Sequence, residues 1–358
     1  MSLMGGCLLR LVLVVGCAGG VAAVAAAATP FVPQRAAQLT VVSGGSQESV
    51  SASFSPRIAA PARLSFYVPQ GYGLSLSASP GTSVGDVFAQ AVTDSSPSFG
   101  EFAFGNLTVG SPALATDAIA QACSAGSHAA VWIASLTFER KTIPAVPVRV
   151  YVDPTSGSES AWGAFRLVTC LPSPYVPAVQ GGTPQAQFTS FSVDFSGAGR
   201  PTTGTYTWRL LTTPYQYGTA TPDEPSTFEA RARVLEPYVL TLKAGYQRKT
   251  GTLTVSGRLR GGGQPRPGVE VDLFVDKSDP TWDVFNIWTV VTRADGSYSL
   301  RKRIPRTSEP QALKVDATVF SVSAPCGQPA VVTGGCVDES LSPPADPKTV
   351  HVNVPRRG

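Results

Sequence analysis

A two-residue beat of apolar and polar side chains runs through most of this chain and limits what it can fold into. Leu64, Phe66 and Val68 alternate with Ser65 and Tyr67, and Leu74, Leu76 and Ala78 alternate with serines. Val146, Val148, Val150 and Val152 enclose Arg149 and Tyr151; Phe191, Val193 and Phe195 enclose Ser192 and Asp194. Successive side chains of a strand point to opposite faces, so each run predicts a strand with one dry and one wet face. Pro147 has no N–H to give to a ladder, which predicts an edge or a bulge there. The nearly unbroken apolar run from Ala130 to Phe138 fits a central strand buried on both faces. Turn formers such as Pro69-Gln70-Gly71, Ser79-Pro80-Gly81 and Gly181-Gly182 separate the runs. Helix signals are confined to Asp117–Cys123, and Val84 to Val92 reads either way.

Composition agrees with that beat. Charged residues make up only 15% of the chain, against roughly 25% in typical soluble domains, while glycine (35) and proline (31) are plentiful. The pattern predicts an all-β protein built from short strands and loops. At 358 residues the chain exceeds one ordinary core. A boundary near Pro237 divides it into residues 29–236 and 237–358, each expected to be a β-sandwich. A net charge of +4, scattered along the sequence, gives no footprint for nucleic acid.

Location is written at the start. Arg10 precedes an apolar run from Leu11 to Val24 and then Ala25 to Ala28. This order reads residues 1–28 as a cleaved signal peptide, and hence a secreted, extracellular chain. Gly16, Gly19 and Gly20 dilute the run, which is shorter than a spanning helix, so no transmembrane segment is expected in the mature protein. Val14-Val15-Gly16-Cys17 is a relaxed lipobox, and lipid anchoring at Cys17 is the alternative. Four cysteines remain: Cys123, Cys170, Cys326 and Cys336. An even number in an exported chain predicts disulfides. Three pairings are open; Cys123–Cys170 and Cys326–Cys336 put one bridge in each half. No cysteine or histidine spacing suits a metal, and no metal or cofactor is expected.

Residues able to carry chemistry are few. His351 alternates with Val350 and Val352, which predicts an exposed strand histidine. His128 follows a turn, Ser124 to Ser127, and reads as a capping or surface group. Gly81-Thr82-Ser83-Val84-Gly85 fits G-x-S-x-G, but that motif needs an α/β sheet around its serine, and the strand–helix alternation is absent. Asp276, Asp279 and Asp283 read as a solvated loop, without the spacing of an EF-hand. Glu101, Glu139 and Glu159 are scattered and form no readable acid–base pair. Asn106-Leu107-Thr108 is a glycosylation acceptor, of consequence only in a host that glycosylates. Tyr206 and Trp208 share a face and fit a core. Tyr215 and Tyr217, after Pro214 in a loop, are the ligand-binding candidates, because flat rings stack on sugars.

After Pro237 the alternation becomes very regular. Val255-Ser-Gly257-Arg-Leu259, Pro267-Gly268-Val269-Glu-Val271-Asp-Leu273 and Trp288-Thr-Val290-Val-Thr292-Arg-Ala294-Asp295-Gly296-Ser-Tyr298-Ser-Leu300 follow one another. This stretch, about 238–320, resembles the bacterial extracellular Ig-like modules related to carboxypeptidase-regulatory (prealbumin-like) domains. The resemblance implies a non-catalytic seven-stranded sandwich used as a spacer or adhesion element, with its Asp-Gly turn closing a hairpin. The segment from Cys326 to Cys336 and the proline-rich 342–347 depart from it as insertions. Together these readings predict a non-enzymatic structural or binding protein, secreted or at the cell envelope, whose partner is a cell-surface protein or a polysaccharide. A carbohydrate-binding module is the first alternative and a secreted serine hydrolase the second.

Overall fold

The computed structural model describes residues 37–356 apart from 45–46, 55–58, 75, 94–95, 140–142, 184–185, 197–198, 200, 278–285, 305–309, 320–321, 330–335 and 342–347. The expected signal peptide, with Cys17, lies outside the described residues. The chain is nearly all β. In order come β1 (Ala37–Gly44), β2 (Gln47–Phe54), β3 (Pro61–Val68), β4 (Ser83–Thr93) and β5 (Ser96–Val109). A short helix, α1 (Ala118–Cys123), precedes β6 (Ala130–Phe138), β7 (Val146–Pro154), β8 (Phe165–Cys170), β9 (Ala186–Ser196), β10 (Gly204–Pro214) and β11 (Phe228–Glu236). After a cis Glu236–Pro237 bond come β12 (Tyr238–Gln247), β13 (Thr252–Gly261), β14 (Gln264–Pro265), β15 (Glu270–Lys277), β16 (Asn286–Val291), β17 (Ser297–Arg303), β18 (Gln311–Thr318), β19 (Val322–Pro329), β20 (Cys336–Leu341) and β21 (Lys348–Val354).

Thirteen of these strands form one sheet in the order β1-β2-β9-β4-β5-β6-β7-β8-β3-β10-β11-β20-β19. β1 comes back against β11, so the sheet curls until it nearly closes like a barrel, where two separate facing sheets were expected. The curl brings the inward faces of the alternating strands together. Phe191, Val193 and Phe195 of β9 point inward with Leu64, Phe66 and Val68 of β3, Trp132 of β6 and Trp208 of β10, all buried in one cluster. Full burial of each such side chain is worth about 1.5–3 kcal/mol, and closure is what lets all the inner faces share one core.

Three local readings change. Leu74, Leu76 and Ala78 are not a strand; the segment is a loop, with the Gly73 N–H on the Gly199 carbonyl, whose apolar side chains lean on the core from outside the ladder. Pro147 lies in an interior strand, yet among the described residues no strand pairs with its stretch on one side, because β8 pairs β7 only from Val150 onward. Ala130 to Phe138 is a strand buried on both faces only in its first half, and beyond Ala134 the exposure alternates.

The second face of β6, β7 and β8 is covered by α1 and the turn before it. Ala115, Ala120, Cys123, Val131, Tyr151 and Val168 form a small separate apolar cluster there. The helix starts where Asp117 caps it, its carboxylate accepting the Ala120 N–H at 2.8 Å. Cys123 is bonded to Cys170 at the end of β8, with Cα atoms 5.7 Å apart.

Beyond Pro237 two four-stranded sheets face one another. One has β12-β13-β14 with β17 also on β13; the other runs β16-β15-β18-β21. Leu240, Leu253, Val255, Val271, Leu273, Tyr298, Val315 and Val352 fill the space between them. The Asp-Gly turn does not close a hairpin. β16 and β17 belong to different sheets, so Arg293 to Gly296 is an arch crossing the sandwich, with Gly296 at φ 74° and its N–H on the Arg293 carbonyl. The insertion before the last strand is the β19–β20 hairpin. Its β20 pairs parallel with β11, matching Arg231 with Glu339 and Arg233 with Leu341, and so joins the thirteen-stranded sheet. The backbone at Cys336 pairs with Pro329, while the side chains of Cys326 and Cys336 lie outside the described residues.

Candidate functional site

Two places gather side chains of chemical interest. The first lies where α1 caps the outer face of the large sheet. His128 is buried and not at the surface, with only 1% of its side chain exposed, while the capping half of its reading fits, since Ser124, whose carbonyl it meets, is the C-cap of α1. Its Nδ1 sits 2.9 Å from Asp153 Oδ2 on β7, its Nε2 2.9 Å from the Ser124 carbonyl, and its ring rests on Tyr151. Arg166 of β8 reaches Asp153 at 3.5 Å and Glu159 at 3.2 Å. The Tyr67 hydroxyl donates to Glu159 at 3.0 Å, and burial, then the Glu159 charge, push that phenol well above the ordinary tyrosine range. At the near end Arg149 pairs with Asp117 at 2.6 Å. The backbone N–H of Ala120, then Arg149, holds the Asp117 carboxyl below its usual range.

An Asp–His pair is two thirds of a nucleophile-activating triad, but this one is committed elsewhere. Both ring nitrogens face acceptors, and Nε2, which would take a proton from a nucleophile, is occupied by the Ser124 carbonyl. Ser83 is not brought to it. Ser83 opens strand β4, pairs across to Thr108, and its Oγ accepts a bond from Asn106 Nδ2 at 3.0 Å. Gly85, the last glycine of the G-x-S-x-G match, has a plainer reason to be glycine: a Cβ there would stand 1.8 Å from the Asp194 carbonyl of β9. The motif therefore marks close strand approach, with no helix after the serine. The cluster around His128 locks the α1 cap and its disulfide onto the sheet.

The second place is one end of the large sheet, where residues 171–183 and 214–227 meet. The Ser173 hydroxyl donates to the Thr219 carbonyl at 2.9 Å, and Tyr215 donates to the Leu171 carbonyl at 2.6 Å. Tyr215 is buried against Ala60, Ala62 and Tyr175, which pushes its phenol up to about 12. Its hydroxyl and its buried ring brace the two loops against each other. Tyr217 is the reverse, 87% exposed, and its neighbour is Tyr175, with ring centroids 5.3 Å apart. Val179 on the same loop pair is 93% exposed. The ring beside Tyr217 is Tyr175 and not Tyr215; the one sequence signal for Tyr175 is its own Pro-Tyr dipeptide, Pro174-Tyr175, matching Pro214-Tyr215.

The remaining candidates stay apart. His351 is exposed on β21 and Trp208 is fully buried in the core. Asp279 and Asp283 lie outside the described residues, and among the described residues no group of three His, Cys, Asp or Glu side chains is placed to hold a metal ion. No described helix is long and apolar enough to cross a membrane.

No family model matches the chain, and no curated protein does. Among solved structures, one described as "tetra-tandem repeat in extending region of large adhesion protein" aligns over 88% of this chain and 99% of its own, with 11% identity and a TM-score of 0.18. A superposition that loose carries no argument about fold or function.

Proposed function

We propose that this is an exported, non-catalytic structural or binding protein of the cell envelope. It would be cut after residue 28, with residues 29–236 presenting a binding surface and 237–358 acting as an immunoglobulin-like spacer. The observation that carries the binding role is the exposed Tyr217 with the half-buried Tyr175 against it, on two loops that are tied together by Ser173 and Tyr215. An aromatic face that is both open and held in place binds without having to order itself first. The sheet orders β12-β13-β17 and β16-β15-β18-β21 support the immunoglobulin-like reading of the second part. The partner is a surface polysaccharide or a cell-surface protein, and the ring pair favours the sugar.

The test is co-sedimentation of the purified chain with insoluble envelope polysaccharide. We expect retention of the native chain and its loss in Tyr175→Ala/Tyr217→Ala, at a cost of about 1 kcal/mol or more for a stacked ring pair. A native chain left in the supernatant removes the polysaccharide reading. Mass spectrometry of the mature N-terminus tests export: a start near Thr29 supports it, and a lipid on Cys17 would replace free secretion by anchoring.

A further inference from the structure

Strand edges are open templates, and proteins guard them with charge or cover. Three of the four outer strands in the paired four-stranded sheets follow that rule. β17 carries Arg301, Lys302 and Arg303; β21 carries Lys348 and His351; β12 carries Lys243 and packs beside β21. The fourth, β16, reads Asn286-Ile287-Trp288-Thr289-Val290-Val291, with no charge and no proline. It pairs with β15 on one side, and among the described residues no strand pairs with the other.

The backbone shows which residues face outward. The Thr292 N–H donates to the Val269 carbonyl at 2.9 Å. In an antiparallel ladder successive residues turn their N–H and C=O to opposite sides, so Ile287, Thr289 and Val291 present theirs to the open edge. The same residues lie on the wet face of the sheet, where Ile287 and Val291 are each 56% exposed. Large β-branched side chains on an edge that is also hydrogen-bond competent are a standing invitation to a further strand.

We infer that this edge binds a second copy of the chain, β16 against β16, antiparallel about a two-fold axis through Thr289. A two-fold interface must complement itself, and β16 does. Thr289 meets Thr289, Ile287 meets Val291 and Val291 meets Ile287. Each facing pair exchanges both backbone bonds, and the exposed apolar residues cover one another. No charge meets its own image, as it would if β17 were the edge. The two β16-bearing sheets become one continuous sheet across the axis. This inference stands independently of the polysaccharide site, which lies on the loops that carry Tyr175 and Tyr217.

Sedimentation velocity on the purified full chain tests it, with circular dichroism to confirm folding. The native chain should be a dimer. Ile287→Glu and Val291→Lys should each weaken association about tenfold or more, by setting a charge against an aliphatic partner. The double variant Ile287→Glu/Val291→Lys should recover it, because the register puts Glu opposite Lys at both ends. Each substitution sits on the exposed face, so the fold is retained. A native chain that is monomeric throughout the concentration range overturns the proposal. So do single variants that dimerise like the native chain, or a double variant as weak as the singles.

Discussion

At the scale of single residues, the most exposed tension is between two carboxylates. Asp194 of β9 faces Asp86 of β4 directly across the ladder. Burial raises the Asp194 carboxyl above its ordinary range, the Ser49 hydroxyl offsets part of that, and the Asp86 charge adds to it. The folded chain therefore holds this proton to higher pH than the unfolded chain does. Ionisation costs stability above the folded value, and the cost vanishes as the pH falls below the unfolded one. Asp194→Asn should melt at a higher temperature than the native chain near neutral pH, with the gain disappearing in acid; an equal or lower melting temperature at neutral pH would contradict this. Little of that was legible beforehand. The alternation put Asp194 on the wet face, correctly, but register across strands decides that Asp86 is its neighbour. His128 was misjudged for the same reason: its partner Asp153 is 25 residues away, and only the fold brings a carboxylate to a turn histidine. The exposure of Tyr217 is legible because its loop is written locally; the ring of Tyr175 beside it is not, because contact between two loops is not written in either.

Elements were read more securely than contacts, since period two is a property of the strand alone. The strands over 146–154, 186–196 and 270–277 follow from it directly, and the short helix at Asp117 follows from its cap residue. The failures have one cause. Leu74, Leu76 and Ala78 alternate because a loop pressed against a core also buries every other side chain, and periodicity cannot tell that from a ladder. The α1 cap is the element whose contribution is most easily measured. It holds few apolar contacts, and the Cys123–Cys170 bridge closes 47 residues of chain. Loop-closure entropy puts that crosslink at about 4 kcal/mol. Cys123→Ser/Cys170→Ser should lose stability of that order in urea titration, while the His128–Asp153 pair keeps the cap docked at low denaturant. A midpoint indistinguishable from the native chain would mean that the ion pairs alone secure the cap.

For the molecule as a whole, composition and alternation were enough for an all-β architecture. The curled thirteen-stranded sheet was not legible, because closure depends on which strands meet and not on how any one of them reads. Nor was the fate of the β19–β20 hairpin, which the sequence marks only as an interruption. Its pairing with β11 covers an edge that would otherwise lie open next to β1. Deleting residues 322–341 should leave the rest of the three sheets folded but make the chain prone to aggregate, measured by light scattering against the native chain. A deletion variant that stays dispersed would show that β11 needs no cover.

That hairpin also bears on how such a chain could be taken apart. It departs from one half of the polypeptide and becomes fabric of the other, like a sleeve stitched into a neighbouring garment. A recombination event or an expression boundary placed at Pro237 would not release two interchangeable parts: it would strip the first of its lining and leave the second trailing a loose flap.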